Sequence, residues 1–385
     1  MKAKVALVHD WLTGMRGGER CLEVFCELFP EADLFTLVYQ RGALSPIIER
    51  MAIHTSFLQY IPHAPRIYRH LLPLLPLAIR QFRLSGYDLI LSSSHAVAKG
   101  VRRRGVPWHV CYCFTPMRYI WDQSAVYFPR ERFTLPSWVI LQALFRYLRA
   151  WDVKSSRGVD AFIAISEHIA AKIGAYYNRT ASVIPPPVDC EFFTPDRVPQ
   201  NDGPPSYLIV SALVPYKRVD LAVAAFNRLQ SPLVIIGVGP ERQRLERLAG
   251  PHIRFLGWQP DGVVRDYYRR CRALIFPGEE DFGIVPLEAQ ACGKPVIAFG
   301  RGGALETVIP LDAAPRRDTS GLEPTGVFFY EPTVEALCET VLLFQRQAAA
   351  FNAKACRRNA LRFDRPLFKA RIRAFLAGIL GRDIE

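Results

Sequence analysis

Several signatures are missing from this 385-residue sequence, and each absence narrows what the protein can be. Its nine cysteines include no Cys-x-x-Cys pair and no zinc-ligand spacing, which is typical of a reducing compartment and argues against a disulfide framework. No apolar run approaches the roughly 20 residues that cross a membrane. The first run, residues 5–8, stops at His9-Asp10 and is too short for the core of a signal peptide. We therefore expect a cytoplasmic protein, either soluble or held at the inner face of the membrane.

The dinucleotide fingerprint G-x-G-x-x-G is also missing from the loop after that first run. This loop, residues 9–19, instead carries Gly17-Gly18 just before a helix predicted over residues 20–29. The glycine pair is either a plain turn or a place where the backbone comes close to a ligand.

Acidic residues are scarce relative to basic ones, because 49 lysines and arginines face 36 acids and give a net charge of +13. This balance favours anionic partners, namely nucleic acid, anionic lipid or phosphorylated substrates, although an indifferent basic surface is the alternative. Residues 61–84 contain no acid and mix leucine, proline and arginine. They predict either a basic amphipathic segment on an anionic membrane or a pair of core helices begun by prolines.

Apolar runs of strand length alternate with helical periodicity in both halves of the chain, which predicts parallel sheets with helical crossovers. We expect two doubly wound, Rossmann-like domains facing a cleft: residues 1–190, and residues 206–365 after a proline-rich linker at 191–205. A tail helix is predicted over residues 366–385.

The tips of these predicted strands carry the candidate site residues, since ligands gather there in parallel α/β sheets. His95 follows one strand of the first half, although a lone histidine is more often structural. Phe114 follows the next strand. In the second half the tips are rich in glycine and carry Lys217, Arg218 and Arg301, a combination that suits phosphate oxygens.

The stretch 277–289 is the most informative, because it runs from a buried strand through a glycine-bearing turn into a helix. Glu288 follows Pro286, the expected first helical residue, so it is predicted in the first turn. There it could accept two hydroxyl hydrogen bonds from a sugar diol, or simply complement the helix dipole.

With Glu280 and Glu288 separated by seven residues around Phe282-Gly283-Ile284, the sequence resembles the retaining nucleotide-sugar glycosyltransferases of family 4 (group 1), which have the GT-B fold. The segment 210–217 resembles the family's phosphate-binding loop. Residues 9–19 and 115–122 resemble a mannosyltransferase-like subgroup that builds cell-surface polysaccharides.

The resemblance implies that the tail helix crosses back to the first domain, and it implies a role for each site residue. Lys217 and Arg218 would meet the donor pyrophosphate, Glu288 the ribose, and Glu280 the transferred sugar. Further donor contacts are implied for the glycine pair, for the turn after Glu280 and for the residues near the base: Gly17, Gly18, Phe282, Gly283, Ile284, Trp258 and Gln259. The implied catalytic residues are Glu280, Lys217 and His95.

Two positions depart from the family pattern. Ala212 stands where an arginine is usual, and Arg218 or Arg301 could supply the missing cation, which is worth about 4 kcal/mol at 4 Å from a phosphate. Phe114 stands where many relatives have a histidine before Thr-Pro, and His95 is the nearest replacement.

The resemblance therefore implies retaining transfer of a hexose, with mannose favoured, from a GDP- or UDP-linked sugar to a lipid-linked or polysaccharide acceptor. No Asp-x-Asp motif occurs, so we expect no metal and no cofactor beyond the donor. Peripheral contact with an anionic membrane is expected, and nucleic-acid binding is not, because no binding motif accompanies the spread basic charge. The alternative is a GT-B partner protein that has lost turnover, which the two departures suggest.

Overall fold

The computed structural model of the protein describes residues 3–105, 107–195, 206–311 and 323–381. They form two compact units. The first ends at Pro187 and is rejoined by the chain from Phe368 onward, and the second is Val188–Leu367. Residues 191–195, predicted as linker, belong to the second unit, where Arg357 donates hydrogen bonds to the carbonyl oxygens of Cys190 and Phe193. The rest of the predicted linker lies outside the described residues.

The first unit is built on a parallel sheet flanked by helices. Its strands are β1 (Val5–His9), β2 (Asp33–Thr36), β3 (Ala52–Thr55), β4 (Arg83–Leu84), β5 (Leu89–Ser94), β6 (Arg102–Arg103), β7 (Trp108–Cys113), β8 (Ala161–Ala164) and β9 (Ala181–Val183). Its helices are α1 (Gly17–Leu28), α2 (Pro46–Glu49), α3 (Ala64–Ile67), α4 (Leu75–Gln81), α5 (Ser124–Tyr127), α6 (Leu135–Ser156) and α7 (Glu167–Tyr177). Seven strands pair in parallel in the order β3-β2-β1-β5-β7-β8-β9.

The second unit repeats this plan. Its strands are β10 (Tyr207–Val210), β11 (Leu233–Ile236), β12 (Ile253–Gly257), β13 (Leu274–Phe276), β14 (Val296–Phe299) and β15 (Gly326–Phe329). Its helices are α8 (Val219–Leu229), α9 (Arg242–Leu248), α10 (Asp261–Arg270), α11 (Ile284–Ala291), α12 (Ala304–Thr307), α13 (Val334–Arg346) and α14 (Ala353–Leu361), and α15 (Arg365–Leu380) follows. The parallel order β12-β11-β10-β13-β14-β15 is the doubly wound arrangement.

The predicted fold class is confirmed, and so are several of its details. Strands at the centre of each sheet, such as β1, β5, β11 and β14, are buried throughout, as expected where helices cover both faces of a parallel sheet, whereas the edge strands β3 and β9 contain no fully buried residue. Ser166, predicted as the N-cap of α7, accepts a hydrogen bond from the backbone N–H of Ile169. From Phe368 onward α15 packs in the first unit, where the Phe368 ring centroid lies 5.6 Å from that of Phe25.

Residues 61–84 form short helical pieces, α3, a 3-10 segment (Tyr68–Leu74) and α4, with prolines near the starts of α3 and α4. Most of their large apolar side chains are buried, so this segment is mainly part of the core. Among the residues that the structure covers, no helix combines the length and hydrophobicity needed to span a bilayer.

Candidate functional site

Lys217 and Glu280 meet at the carboxyl edge of the second sheet. Lys217 ends a 3-10 turn (Pro215–Lys217) after β10, and Glu280 lies in the loop after β13. These strands are neighbours although β11 and β12 come between them in sequence, so their loops flank the switch point where α/β sheets bind ligands. The Lys217 ammonium and the Glu280 carboxylate form an ion pair, and both side chains are mostly buried.

Two glycines allow the loops around this ion pair to pack closely. A Cβ at Gly278 would lie 2.8 Å from the Cα of Lys217, and one at Gly303 would lie 2.2 Å from the Cα of Phe282. The Gly303 N–H also donates to the carbonyl oxygen of Glu280. Any larger residue at either position would push apart the loops that hold Lys217 and Glu280.

Glu288 lies in α11 and is 7% exposed. Gly283, with φ of 97°, precedes the first helical residue, Ile284, so the helix begins two residues before Pro286. The prediction that Pro286 opens the helix and that Glu288 lies in its first turn is therefore wrong. The glycine sets the start because only its left-handed backbone turns the chain directly into the helix.

The hydroxyl of Tyr268, on α10, donates a 2.9 Å hydrogen bond to Oε2 of Glu288. This bond fixes the carboxylate on the inner side of its helix. Tyr268 escaped the sequence analysis because nothing in its local pattern separates it from an ordinary core tyrosine.

The other predicted donor-site residues lie around this centre. Arg218 has φ of 51° and pairs with Asp220, with Nε and Oδ1 3.4 Å apart. The Arg301 guanidinium lies 5.5 Å from the Phe299 ring centroid, and the next residue, Gly302, bridges Glu280. Arg218 thus follows Lys217 directly in the chain, and Arg301 precedes the residue that bridges Glu280, so both stay candidates for the cation missing at Ala212.

Trp258 and Gln259 follow β12, which is separated from β10 by β11. Trp258 is 71% exposed, and the Gln259 amide donates to the carbonyl oxygen of Leu256. Both lie at the carboxyl edge of the sheet, but two strands away from the Lys217 loop. Phe282 is buried against Phe363, so only the backbone of the turn formed by Phe282, Gly283 and Ile284 is suited to ligand contact.

In the first unit the switch point lies between β1 and β5, and Asp10 is its centre. The buried Asp10 carboxylate accepts hydrogen bonds from four consecutive backbone N–H groups at 2.6–2.9 Å. They belong to His95, Ala96, Val97 and Ala98. Burial by itself would raise the pKa of Asp10, but the nearby histidines and these backbone donors outweigh it and hold that pKa below its ordinary value.

His95 lies against this carboxylate, with Nδ1 3.2 Å from Oδ2 of Asp10, and its side chain is 28% exposed. Burial lowers the pKa of His95 although Asp10 opposes the shift. The neutral ring therefore donates from Nδ1 to Asp10 and keeps Nε2 as an acceptor. Asp10 was not predicted as a site residue, although an acid directly after the apolar β1 run is a readable signal.

The glycine pair opens α1 rather than preceding it. Gly17 and Gly18 are its first two residues, because the buried Glu19 side chain accepts a hydrogen bond from the backbone N–H of Arg16 and so organises the first turn. The turn lies beside Phe114: a Cβ at Gly18 would be 3.6 Å from that ring and 3.7 Å from the ring of His9. Phe114 and His9 thus both lie beside the start of α1.

Two doubly wound units, the second with a basic and acidic pair at its switch point, define the class of two-domain α/β proteins with the GT-B fold. Solved structures share it along almost the whole chain. Sucrose-phosphate synthase from Thermosynechococcus elongatus has a TM-score of 0.72 at 18% identity and matches 99% of this chain and 100% of its own. HepE from Anabaena, solved in complex with UDP, has a TM-score of 0.65 at 18% identity and matches 97% and 100%.

Two sequence-family models meet close to the boundary between the two structural units. The model for glycosyltransferase family 4 matches residues 15–192, and that for glycosyl transferases group 1 matches residues 192–360. The chain therefore belongs to the family 4, group 1 glycosyltransferases.

Curated relatives align mainly over part of the chain. An uncharacterised glycosyltransferase of Methanocaldococcus jannaschii is 32% identical over 39% of this chain and 43% of its own length. A GDP-mannose-dependent phosphatidylinositol monomannoside mannosyltransferase of Mycolicibacterium smegmatis is 29% identical over 39% of this chain and 47% of its own. The chain thus matches less than half the length of these relatives.

Proposed function

We propose that the protein transfers a hexose, with mannose favoured, from a nucleotide diphosphate sugar to a lipid-linked or polysaccharide acceptor. The observation that carries this proposal is the Lys217–Glu280 ion pair at the switch point of the second unit. Glu280 lies in the loop that leads into α11, the helix of the buried Glu288. A cation for the pyrophosphate and carboxylates for sugar and ribose hydroxyls are the groups that such a donor needs.

Each part of the donor is assigned to a different group of this site. The pyrophosphate attracts Lys217 away from Glu280, with Arg218 or Arg301 adding charge where Ala212 has none. Glu288, oriented by Tyr268, accepts the ribose hydroxyls. Glu280, released from the lysine, accepts hydroxyls of the sugar together with the backbone of the turn at Gly283.

The reaction that suits this arrangement is transfer with retention and without a metal ion. The acceptor hydroxyl approaches from the face that the nucleotide leaves, and the departing phosphate oxygen takes its proton. The chain then supplies positioning and stabilises the leaving charge through Lys217. His95, neutral and held by Asp10, offers Nε2 to a sugar hydroxyl.

The names of the relatives support the choice of donor. Mannosyltransferases that depend on GDP-mannose are among them, and HepE was solved with UDP and with UDP-glucose. Phosphatidylinositol monomannoside, in the name of the M. smegmatis relative, is a lipid-linked acceptor, which favours work at a membrane surface. We therefore include peripheral contact with the inner face of an anionic membrane.

Phe114 favours a second candidate, a GT-B partner protein without turnover. Its apolar ring lies with its centroid 6.3 Å from each of the His9 and His95 rings, where it can donate no hydrogen bond to a sugar. In this case the donor would bind and no sugar would be transferred.

Calorimetric titration with GDP, UDP and ADP, and then with GDP-mannose and UDP-glucose, tests the proposal. We expect one base to bind at least about tenfold more tightly than the others. Glu288→Gln should weaken that binding by about tenfold or more, and unchanged affinity would remove the assigned role. Release of the nucleotide in the presence of a polyprenyl-diphosphate-linked sugar then separates an enzyme from a silent partner, and the anomeric configuration of the product by NMR tests retention.

A further inference from the structure

The N-terminal half of α6 forms a surface arm whose partly buried Leu141 and Leu144 pack against the core of the first unit. The first fully buried residue of this helix is Phe145, and from there Leu148 and Trp151 pack inward. The preceding ten residues contain no fully buried side chain. At 1.5 Å per residue, this gives an arm about 15 Å long.

The arm is apolar where it is exposed. Leu135, Val139, Ile140 and Tyr147 are 68%, 59%, 70% and 54% exposed, and the intervals of four residues align Leu135, Val139 and Tyr147 with the exposed Ala143 in one stripe. Isolated exposed apolar residues are ordinary, but a continuous stripe of this kind marks an interaction surface.

Positive charge surrounds this stripe. Residues 130–149 contain four arginines and one acid, Glu131. The Arg130 guanidinium lies 5.4 Å from the ring centroid of Trp138, which places a cation and an indole at the start of the helix. Amphipathic indole and guanidinium groups are favoured at the boundary between lipid headgroups and acyl chains.

A second basic segment lies near the packed C-terminal half of α6. Ile79 of α4 and Trp151 of α6 both flank Gly100, within 3.5 Å and 2.6 Å of where its Cβ would be. The segment from Arg50 to Tyr87, which contains α4, has five arginines and no acid. Its apolar side chains are largely buried, however, and Leu77 is the most exposed leucine that it contributes.

We propose that the first half of α6 is the element that inserts into the surface of an anionic lipid bilayer, with the arginines of residues 50–87 and 130–149 contacting lipid headgroups. The inference rests on the lipid-linked acceptor of the proposed function, and it assigns the apolar insertion to α6 rather than to residues 61–84, for which the sequence predicted either a membrane segment or a pair of core helices. Charge selects the lipid over a second copy of the chain, because a symmetric dimer through this face would bring its arginines against one another.

Flotation of the full-length protein with vesicles tests this inference. The vesicles are made of phosphatidylcholine alone or with about 30% phosphatidylglycerol, and no nucleotide is present. We expect flotation with the anionic vesicles only. The double variant L135E/I140E should reduce it at least about tenfold, since it replaces penetrating apolar groups by charges that the lipid repels.

The control is Leu248→Glu, which changes a half-exposed leucine in the second unit and should float like the wild type. As a second measurement, Ile140→Cys carries an environment-sensitive dye, because all nine native cysteines are buried. Its emission should shift to the blue on anionic vesicles.

Equal flotation of wild type and double variant would overturn the inference. The inference would also be overturned if the wild type did not bind vesicles and sedimentation velocity showed a wild-type dimer that the double variant abolishes. Because the assay needs no donor, failed nucleotide binding with intact flotation would refute the proposed function alone, and the reverse result would refute this inference alone.

Discussion

Asp10 lies at the carboxyl end of β1 and holds His95, at the end of β5, by its ring and by its backbone. Oδ2 is 3.2 Å from Nδ1 and 2.7 Å from the backbone nitrogen of the same histidine. One buried carboxylate therefore fixes both the position of the imidazole and the nitrogen that carries its proton.

Asp10→Asn should destabilise the protein by about 2–3 kcal/mol, because an amide NH₂ would face backbone N–H donors that now meet a carboxylate oxygen. Urea unfolding followed by circular dichroism measures this. Asp266→Asn, at a half-exposed surface pair, is the control and should cost less than about 0.5 kcal/mol. Equal effects of the two substitutions would mean that the backbone donors around Asp10 are not decisive.

Glu280→Gln should tighten the binding of the nucleoside diphosphate several-fold while lowering sugar transfer at least about tenfold. Glu280 pairs with Lys217, which the proposed function assigns to the pyrophosphate, so removing the charge of Glu280 should free Lys217. Lys217→Met should do the opposite and weaken binding by about 100-fold, or roughly 3 kcal/mol. Calorimetry with nucleoside diphosphate and a transfer assay separate the two effects.

The control for this pair is Glu335→Gln, which removes the acid from the exposed ion pair with Arg228 in the same unit. It should change neither binding nor transfer. Weaker nucleotide binding in Glu280→Gln would show that this carboxylate does not compete with the pyrophosphate.

Tyr268→Phe should weaken a ribonucleoside diphosphate about five- to tenfold and leave its 2′,3′-dideoxy analogue almost unchanged. The hydroxyl of Tyr268 orients Glu288, and only a ribose with both hydroxyls needs that orientation. Tyr207→Phe is the matched control, since its hydroxyl accepts a hydrogen bond from Gln345 of α13. Equal losses for both nucleotides would assign Tyr268 to packing alone.

Phe114→His should raise the rate of sugar transfer about five- to tenfold without changing the affinity for nucleoside diphosphate. The new imidazole would stand beside His9 and His95 and supply the hydrogen bond that a phenyl ring cannot. Phe114→Leu removes the ring without adding a donor and should not raise the rate. A gain in the leucine variant would instead point to relief of steric crowding.

The stability contributed by Glu19 should depend on pH. Burial raises the pKa of this carboxyl from 4.5 to about 7, so its contribution is complete below pH 4.5 and is lost as the pH rises through 7. Glu19→Gln copies the neutral acid. It should match the wild type at pH 4 and exceed it by up to about 3 kcal/mol at pH 8.

Urea midpoints at the two pH values measure the difference. The exposed Glu339→Gln is the control and should show the same small difference at both. A Glu19→Gln variant that is less stable than the wild type at pH 8 would mean that the charged carboxylate is favoured at the start of α1.

Sequence patterns predicted the elements that depend on local properties. The strands follow from apolar runs, the N-cap Ser166 from its hydroxyl, and α15 from Pro366 and its periodicity. They failed where a single long-range contact decides the outcome. Gly17 and Gly18 are poor helix formers, and only the buried Glu19 side chain on the N–H of Arg16 makes them helical.

Candidate site residues divide in the same way. Lys217, Glu280 and Glu288 could be named from their motif, but 62 residues separate the first two, and only the strand order brings them into contact. Tyr268 orients Glu288, and Asp10 orients His95. In each pair the two residues belong to different secondary-structure elements. No local pattern encodes such a contact.

The route of the chain through the two units has a consequence for synthesis. Val188 and Asp364 lie side by side as parallel bridge partners, so the chain enters the second unit and leaves it at one place. The second unit is thus an insertion within the first. A ribosome finishes the inserted unit before it has made Phe368, whose ring covers Phe25 and Tyr112. The unit that is translated first is therefore the last to complete its core. C-terminal truncation before residue 368 should leave the second unit folded and the first unit exposed to proteases.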